Sequence, residues 1–424
     1  MPQRSGELAQ RVSYLYACAL LTVHYLFLPF GGYERMMEGK YVCFLVLTGG
    51  YVAAMCFVSP FKKPRFDAVR LCAALYIGFS AVSALLSPYG VHTLLGGSRR
   101  EGLITLTLYA AAFFLLSGSL HTDRRLLCIA ALAVSLCDVL ALAQTAGANV
   151  FGLYPAGLGY YDGDLAYAGF FAGTSGNIDF TAFLLALALC VMLAAAVRLG
   201  CWVLVLPAAL TFFVLLRLDV SGSLFGAAFA AVWSPALLVK AHRRQMLFFS
   251  AALSIFALLF ALLYKGDSGA VSEAARFLRG EAEGSFGSGR IALWRNCLPL
   301  VRERPLFGGG PDTLWLRGVE PFTWMKNGEA VPSDVTAAHN EYLNILVNQG
   351  AAALAAYAAM LGCALARCFR RAEDARFAVC GAGLLCYTAM AFFSISTCIT
   401  APYIWFLLAV VQKDEITVEN HRSL

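Results

Sequence analysis

Charge is scarce in this chain. Only 14% of its 424 residues are Asp, Glu, Lys or Arg, and histidine occurs 6 times. Soluble domains carry roughly 25% charged residues, so a sequence this poor in charge and 60% hydrophobic does not belong among them. Metal-ligand spacing is also missing. The 14 cysteines include no CxxC pair and no Cys/His ligand pattern, which argues against a structural zinc module. Most, such as Cys18, Cys56, Cys128, Cys190 and Cys386, fall inside apolar runs as small hydrophobic residues; only Cys297 and Cys398 are expected on the outer side. No basic, aromatic-interleaved face accompanies the net charge of +6, so nucleic acid is not an expected partner. No repeat relates the two halves, as it does in many transporters. The first apolar run lacks a small-residue cleavage site and is followed by another, which reads as a retained span and not a signal peptide.

What the chain has in quantity is apolar length. Its mean hydropathy is +0.69, and twelve stretches are long and apolar enough to cross a hydrocarbon core of roughly 30 Å. They lie near residues 12–30, 41–59, 68–87, 102–118, 125–146, 178–198, 200–216, 220–239, 246–264, 340–366, 376–395 and 400–411. The fold class is therefore an all-α polytopic membrane protein with about twelve transmembrane helices. Cytoplasmic loops carry the excess of Lys and Arg. With the N-terminus inside, the inner segments hold Lys62, Lys63, Arg65 and Arg70, then Lys240, Arg243 and Arg244, then Arg367, Arg370, Arg371 and Arg376, and Lys413 and Arg422 in the tail. The short outer loops hold Arg35, Lys40, Arg99, Arg100 and Arg217. Both termini are expected in the cytoplasm.

Three regions follow: spans one to nine over residues 1–264, an external segment over 265–339, and spans ten to twelve with a cytoplasmic tail over 340–424. A loop as long as 265–339 needs structure of its own. "RIALWRNCLPLVRERP" supplies it, since Ile291, Trp294, Leu298 and Val301 recur at helical spacing with Arg295 and Arg302 turned aside. Pro299 within the pattern should kink it. Arg290 falls close in angle to Trp294 and Val301, on the face expected to pack toward the membrane. "GSFGSGR" before it and "PLFGGGPD" after it are glycine turns that let a backbone approach a ligand.

Other polar groups gather on the same outer side. "GGSRREGLITL" places Arg99 and Arg100 directly ahead of the fourth span, and Arg217 closes the seventh beside Asp219. "TAAHNEYLNILVNQG" opens the tenth span with His339 and Asn340. Each has an ordinary explanation: snorkelling or a carboxylate partner for Arg290, anchoring of a helix end for Arg99 and Arg100, an ion pair with Asp219 for Arg217, and a capping or hydrogen-bonded role for His339. Together they describe a cationic pocket with one base, because a histidine takes a proton near neutral pH and arginines suit a phosphate. "YYDGDLAY" has Asp162 and Asp164 at the spacing of a metal-binding DxD, yet a Tyr- and Gly-rich DGD is more often a turn; no metal and no cofactor are expected. Asp138 lies inside the fifth span, where a carboxylate needs a partner or neutralisation.

These same motifs carry a resemblance. "GSGRIALWRNCLPLVRERPLFGGGPDTL" followed by "AHNEYLNILVNQGAAALAAY" resembles the long external loop and next span of the O-antigen ligase and polymerase superfamily, in which a loop arginine and a histidine opening the following helix are essential. "GSRREGLITLTLY", "GTSGNIDFTAFLLAL" and "FFSISTCITAPYIWFLL" are similar to its other elements. The resemblance implies a GT-C type glycosyltransferase on the outer face of a bacterial cytoplasmic membrane. It would move a glycan from undecaprenyl pyrophosphate to an acceptor hydroxyl on a lipid or glycan, with inversion. Carried over by position, Arg290 and His339 are catalytic, and Arg99, Arg100, Arg217, Asn340, Asn177 and Asp179 contact pyrophosphate or acceptor. Two positions depart from the family pattern: Ser221, Gly222 and Ser223 stand where it often has Ser-Arg-Gly, and Asn177, Ile178 and Asp179 stand where it has Asn-Pro-Asn. A polymerase of lipid-linked repeats is the alternative within the family. A twelve-span transporter or flippase is the alternative outside it.

Overall fold

Each of the twelve apolar segments falls on a helix. The computed structural model describes residues 2–58, 67–97, 99–162, 169–266, 269–284, 286–287, 289–320, 322–326 and 329–412. Lys62, Lys63, Arg65, Lys413 and Arg422 of the charge pattern, and Asp164 of the DxD, lie outside the described residues. The helices are α1 Pro2–Ala19, continued by a π turn Leu20–His24, α2 Met36–Val58, α3 Ala68–Leu85, α4 His92–Leu95, α5 Leu103–Ser119, α6 Arg124–Thr145, α7 Ile178–Leu199, α8 Val205–Leu218, α9 Ser221–Trp233, α10 Pro235–Leu238, α11 Arg243–Leu263, α12 Ala270–Leu278, α13 Arg290–Glu303, α14 Glu341–Arg370, α15 Ala375–Met390 and α16 Ala401–Gln412. Six helical stretches, Gly32–Val58, Ala68–Leu85, Arg124–Thr145, Ile178–Leu199, Arg243–Leu263 and Glu341–Arg370, are long and apolar enough to cross a membrane, and five more apolar helices are shorter. This is a multi-pass membrane protein.

Local signals start many of these helices. Asp67, Asp123, Asn177, Asn340 and Asp374 each accept a hydrogen bond from a backbone N–H in the first turn of α3, α6, α7, α14 and α15, satisfying a donor that the helix leaves unpaired. Packing then sorts them. α14 lies along α3, α15 between α7 and α9, and α16 along α5. Small residues let the backbones approach: a Cβ at Gly226 of α9 would sit 2.8 Å from the Cys386 carbonyl oxygen of α15. Some polar side chains inside the bundle are matched locally. Asp138, whose partner the sequence does not name, accepts from the Thr211 hydroxyl at 2.6 Å. Lys40 is not a loop residue but is buried in α2, donating to the His24 and Tyr25 carbonyls at 2.5 and 2.8 Å where the π turn ends.

Three expectations need correction. First, the segment 340–366 is not one continuous helix. Gly350 has φ 87° and ψ 177°, a conformation essentially reserved for glycine, and it separates a short helix, 341–349, from a stretch of roughly 30 Å over 351–370 at about 1.5 Å per residue. Second, α13 buries Leu293, Cys297 and Leu300, with Trp294 and Val301 at the edge, while Leu298 is exposed. The face is rotated because Leu293 and Cys297 fit a small cluster with Leu314, Val335, Ala338 and Val347. Cys297 is accordingly buried, Cys398 is buried in the main core, and α13 runs Arg290–Glu303 with Pro299 inside it. Third, the Arg217 side chain donates to the Tyr161 hydroxyl at 3.3 Å in place of the expected partner Asp219. Beside the helices, Phe322–Lys326 pairs antiparallel with Glu329–Ser333, Phe322 opposite Ser333.

The break at Gly350 is covered by the glycine turn that follows α13. Val347 O accepts from Gly309 N at 3.1 Å, Asn348 O from Gly310 N at 2.7 Å, and Ala351 N and Ala352 N donate to Pro305 O and Leu306 O at 2.9 and 3.2 Å. The Asn348 side chain adds Oδ1 as acceptor for Thr313 N and Leu314 N, both at 3.0 Å. A Cβ on Gly350 would lie 2.3 Å from Leu306 O, and one on Gly308 2.5 Å from Asn348 O. "GGGPD" and "NQG" are therefore two sides of one backbone contact.

Candidate functional site

Four chain segments converge beside this contact: the first turns of α7, α13 and α14, and the loop between α4 and α5. In α7, Asn177 caps the helix through Asp179 N at 2.7 Å, leaving the Asp179 carboxylate in the first turn. In α13, the left-handed Gly289 turns the chain into the helix, so that Arg290 leads it. Arg290 Nη2 stands 3.8 Å from Asp179 Oδ2, with the two side chains 19% and 33% exposed, an enclosure that leaves the pair reachable by a ligand. Its Nη1 also donates to Gly287 O at 3.4 Å.

Arg99 enters from the α4–α5 loop. Its Nη2 donates to Thr336 Oγ1 at 3.2 Å, and its guanidinium carbon lies 6.0 Å from the centre of the Phe180 ring. The Nε is enclosed, and nothing among the described residues accepts from it. Burial pulls the Arg99 pKa down, opposed by the nearby carboxylates of Asp312 and Asp179.

His339 completes the group. It has φ 47°, uncommon for a residue with a side chain, and the neighbouring backbone is held on both sides. Ala338 N donates to Asn344 Oδ1 at 3.2 Å and Ala338 O accepts from Trp294 Nε1 at 3.0 Å, while Glu341 N donates to Ala391 O at 2.8 Å and Glu341 Oε2 accepts from Ser396 N at 2.7 Å. Strain fixed by surrounding bonds is common where a side chain must be aimed. Burial, then the charge of Arg99, then that of Arg290, bring the imidazole down to about 3. It is therefore neutral at physiological pH, the state able to take a proton.

The structure thus brings together Arg99, Asp179, Arg290 and His339. It does not bring every residue expected from the sequence. Arg100, also at positive φ, turns toward Glu38, 4.0 Å away, and the Tyr41 ring, 5.9 Å from its centre. Arg217 meets Tyr161, and no described contact joins it to the other three cations. Asn340 and Asn177 commit their Oδ1 atoms to helix caps, so they position His339 and Asp179. Thr336 and Phe180 lie within stretches that the sequence singles out, but neither residue type marks itself as a partner of an arginine from a distant loop. Among the described residues no group of three or more His, Cys, Asp or Glu side chains could hold a metal ion.

The site can stabilise an anion on two fixed guanidinium groups while a neutral imidazole waits beside them. A helical membrane protein with such a site is the class that the fold defines. Residues 183–358, from α7 to just past the Gly350 break, match the family described as O-antigen ligase. The matched segment contains Arg290 and His339; Arg99 and Asp179 lie outside it. No curated protein matches the chain.

Proposed function

We propose that this protein is a membrane glycosyltransferase that moves a glycan from undecaprenyl pyrophosphate to an acceptor hydroxyl on the outer face of a bacterial cytoplasmic membrane. The observation that carries it is the convergence of Arg99 and Arg290 on His339, three segments distant in sequence. Arginines present donors suited to phosphate oxygens, and the Arg99 Nε has no acceptor among the described residues. The acceptor oxygen attacks the anomeric carbon, the bond from that carbon to the phosphate oxygen breaks, and the pyrophosphate leaves with the electron pair. His339 takes the hydroxyl proton. One displacement inverts the anomeric centre.

The electrostatics couple the two halves of the reaction. In the free protein, burial first and then the charges of Arg99 and Arg290 keep the imidazole a weak base; a bound pyrophosphate offsets the two charges and so removes their part of that effect when the donor is in place. Fixed cations of this kind act on the charge that develops on the leaving group, which lets the reaction run without a metal. Asp179, opposite Arg290, holds that arginine in the free protein and is placed to meet a sugar hydroxyl. The acceptor is a lipid core or another lipid-linked glycan, the ligase and polymerase alternatives.

The test is transfer in detergent. Purified protein, an undecaprenyl-pyrophosphate oligosaccharide and a panel of acceptor lipids and glycans should yield inverted product without a sealed vesicle. Absence of product with every acceptor, together with donor movement across reconstituted vesicles, would instead identify a transporter.

A further inference from the structure

Arg99 does not reach the site on a helix. It sits in a short loop, Gly96 to Gly102, and one side chain outside that loop holds it closed. Asp312 Oδ2 accepts from Gly97 N at 2.6 Å and from Glu101 N at 3.2 Å, so a single carboxylate oxygen grips the backbone two residues before and two residues after Arg99. Asp312 is buried and has φ 52°. Burial raises its pKa to about 6, and the two N–H donors with Arg99 and Arg100 oppose the rise.

The other end of the grip leads to the histidine. Asp312 belongs to the glycine turn laid across the Gly350 break. The next two residues, Thr313 and Leu314, donate their N–H groups to Asn348 Oδ1, and Asn348 Nδ2 reaches Asn344 Oδ1 at 3.3 Å. Asn344 Oδ1 in turn accepts from Ala338 N, the residue before His339. A continuous path, through side-chain hydrogen bonds and the chain from Asp312 to Leu314, thus runs from the Arg99 loop to the His339 turn. Space is used up along it: a Cβ on Gly97 would lie 1.9 Å from Trp315 Nε1, and one on Gly102 2.3 Å from Gly96 N.

We propose that Asp312 is a positioning residue: through the loop it grips and through Asn348, it sets the Arg99 guanidinium in register with His339. This rests on the glycosyltransferase reading, and it assigns Asp312 no contact with substrate. Removing the carboxylate frees the loop at both anchor points, so the loss falls on what Arg99 does. Truncating Asp312 and truncating Arg99 should then overlap in effect, whereas two independent defects would multiply.

The experiment is a double-mutant cycle on binding of undecaprenyl pyrophosphate to the full chain in detergent, with Asp312→Ala, Arg99→Ala and the double variant. Asp312→Ala should weaken binding about 10-fold to 100-fold in the wild-type background, on the order of one or two such hydrogen-bonded charge contacts, and less than about 3-fold in the Arg99→Ala background. Asp312→Asn, which keeps an acceptor oxygen, should recover most of the affinity; it also reports on the grip if the alanine variant does not fold. Equal factors in both backgrounds would overturn the positioning role while leaving the Arg99 site intact. Unchanged binding by Arg99→Ala would overturn it together with the assignment of Arg99 to the pyrophosphate.

Discussion

Replacing Gly350 by alanine should damage both stability and transfer, although the substitution adds only one methyl group. At φ 87° and ψ 177° a residue with a Cβ is strained by about 1–3 kcal/mol. The methyl would also stand 2.3 Å from Leu306 O, 2.4 Å from Leu306 C and 2.4 Å from Phe307 N, all backbone, so the strap must move. That loosens the bonds at Val347 O, Asn348 O, Ala351 N and Ala352 N, each worth about 1 kcal/mol net. With all four lost the total is roughly 5–7 kcal/mol, a large part of a typical folding free energy. Gly362 lies in the same helix with open space around the position of a Cβ, and alanine there should be neutral or slightly stabilising. Thermal unfolding in detergent and glycan transfer measured on both variants decide the matter. If Gly350→Ala unfolds and transfers like Gly362→Ala, the break and its strap are not what hold the site.

Among the arginines, Arg99→Ala and Arg290→Ala should each lower transfer by about 100-fold or more, the scale of losing a charge-stabilising donor. Arg100→Ala and Arg217→Ala should cost less than about 3-fold, because exposed polar contacts contribute little; initial rates with saturating acceptor separate the two groups. The folded-state pKa of His339, about 3, lies below its ordinary 6.5, so the unfolded chain binds a proton there at pH values where the native protein does not. That destabilises the fold as pH falls from about 6.5 toward 3, and His339→Ala should unfold at a less acid-sensitive midpoint than wild type. Asp312 has the opposite effect: its folded pKa, about 6, lies above the ordinary 3.8, so its contribution to stability falls as pH rises between those values. Its grip on the Arg99 loop is strongest above about 6, and an acid limb of donor binding there should disappear in Asp312→Asn. Transfer should proceed unchanged in EDTA, and a rate restored only by added divalent cation would refute the assignment of charge stabilisation to the arginines.

Much of the helical architecture is legible because its signals are local. Apolar length marks the helices, and Asp or Asn marks many of their starts, as at Asp67, Asp123 and Asn340. Arg290 and His339 are legible from the residue types around them. What hides is what depends on contact. A glycine inside "NQGAA" can be an ordinary helix residue in a close-packed bundle, and only the strap from 305–312 reveals a break at Gly350. Trp294 and Leu298 share the apolar spacing of α13, yet the cluster that buries Leu293 and Cys297 is supplied by residues 314, 335, 338 and 347, which periodicity does not see. Arg99 and Arg100 are adjacent and chemically equal, so no sequence rule assigns one to the site and the other to Glu38. Asp312 looks like turn chemistry, and its two acceptor bonds to residues more than two hundred positions earlier are invisible before folding. The hairpin at 322–333 could have been found, because Asn327-Gly328 between two short apolar runs is a strong turn signal.

The most direct test of the central claim compares purified wild type with His339→Ala and Arg290→Ala for transfer from an undecaprenyl-pyrophosphate glycan. His339 as base and Arg290 as charge stabiliser predict that both variants fold normally by thermal unfolding yet lose transfer by about 100-fold to 10,000-fold. Full activity in either variant would contradict the assignment of that residue, and full activity in both would place the chemistry elsewhere in the molecule.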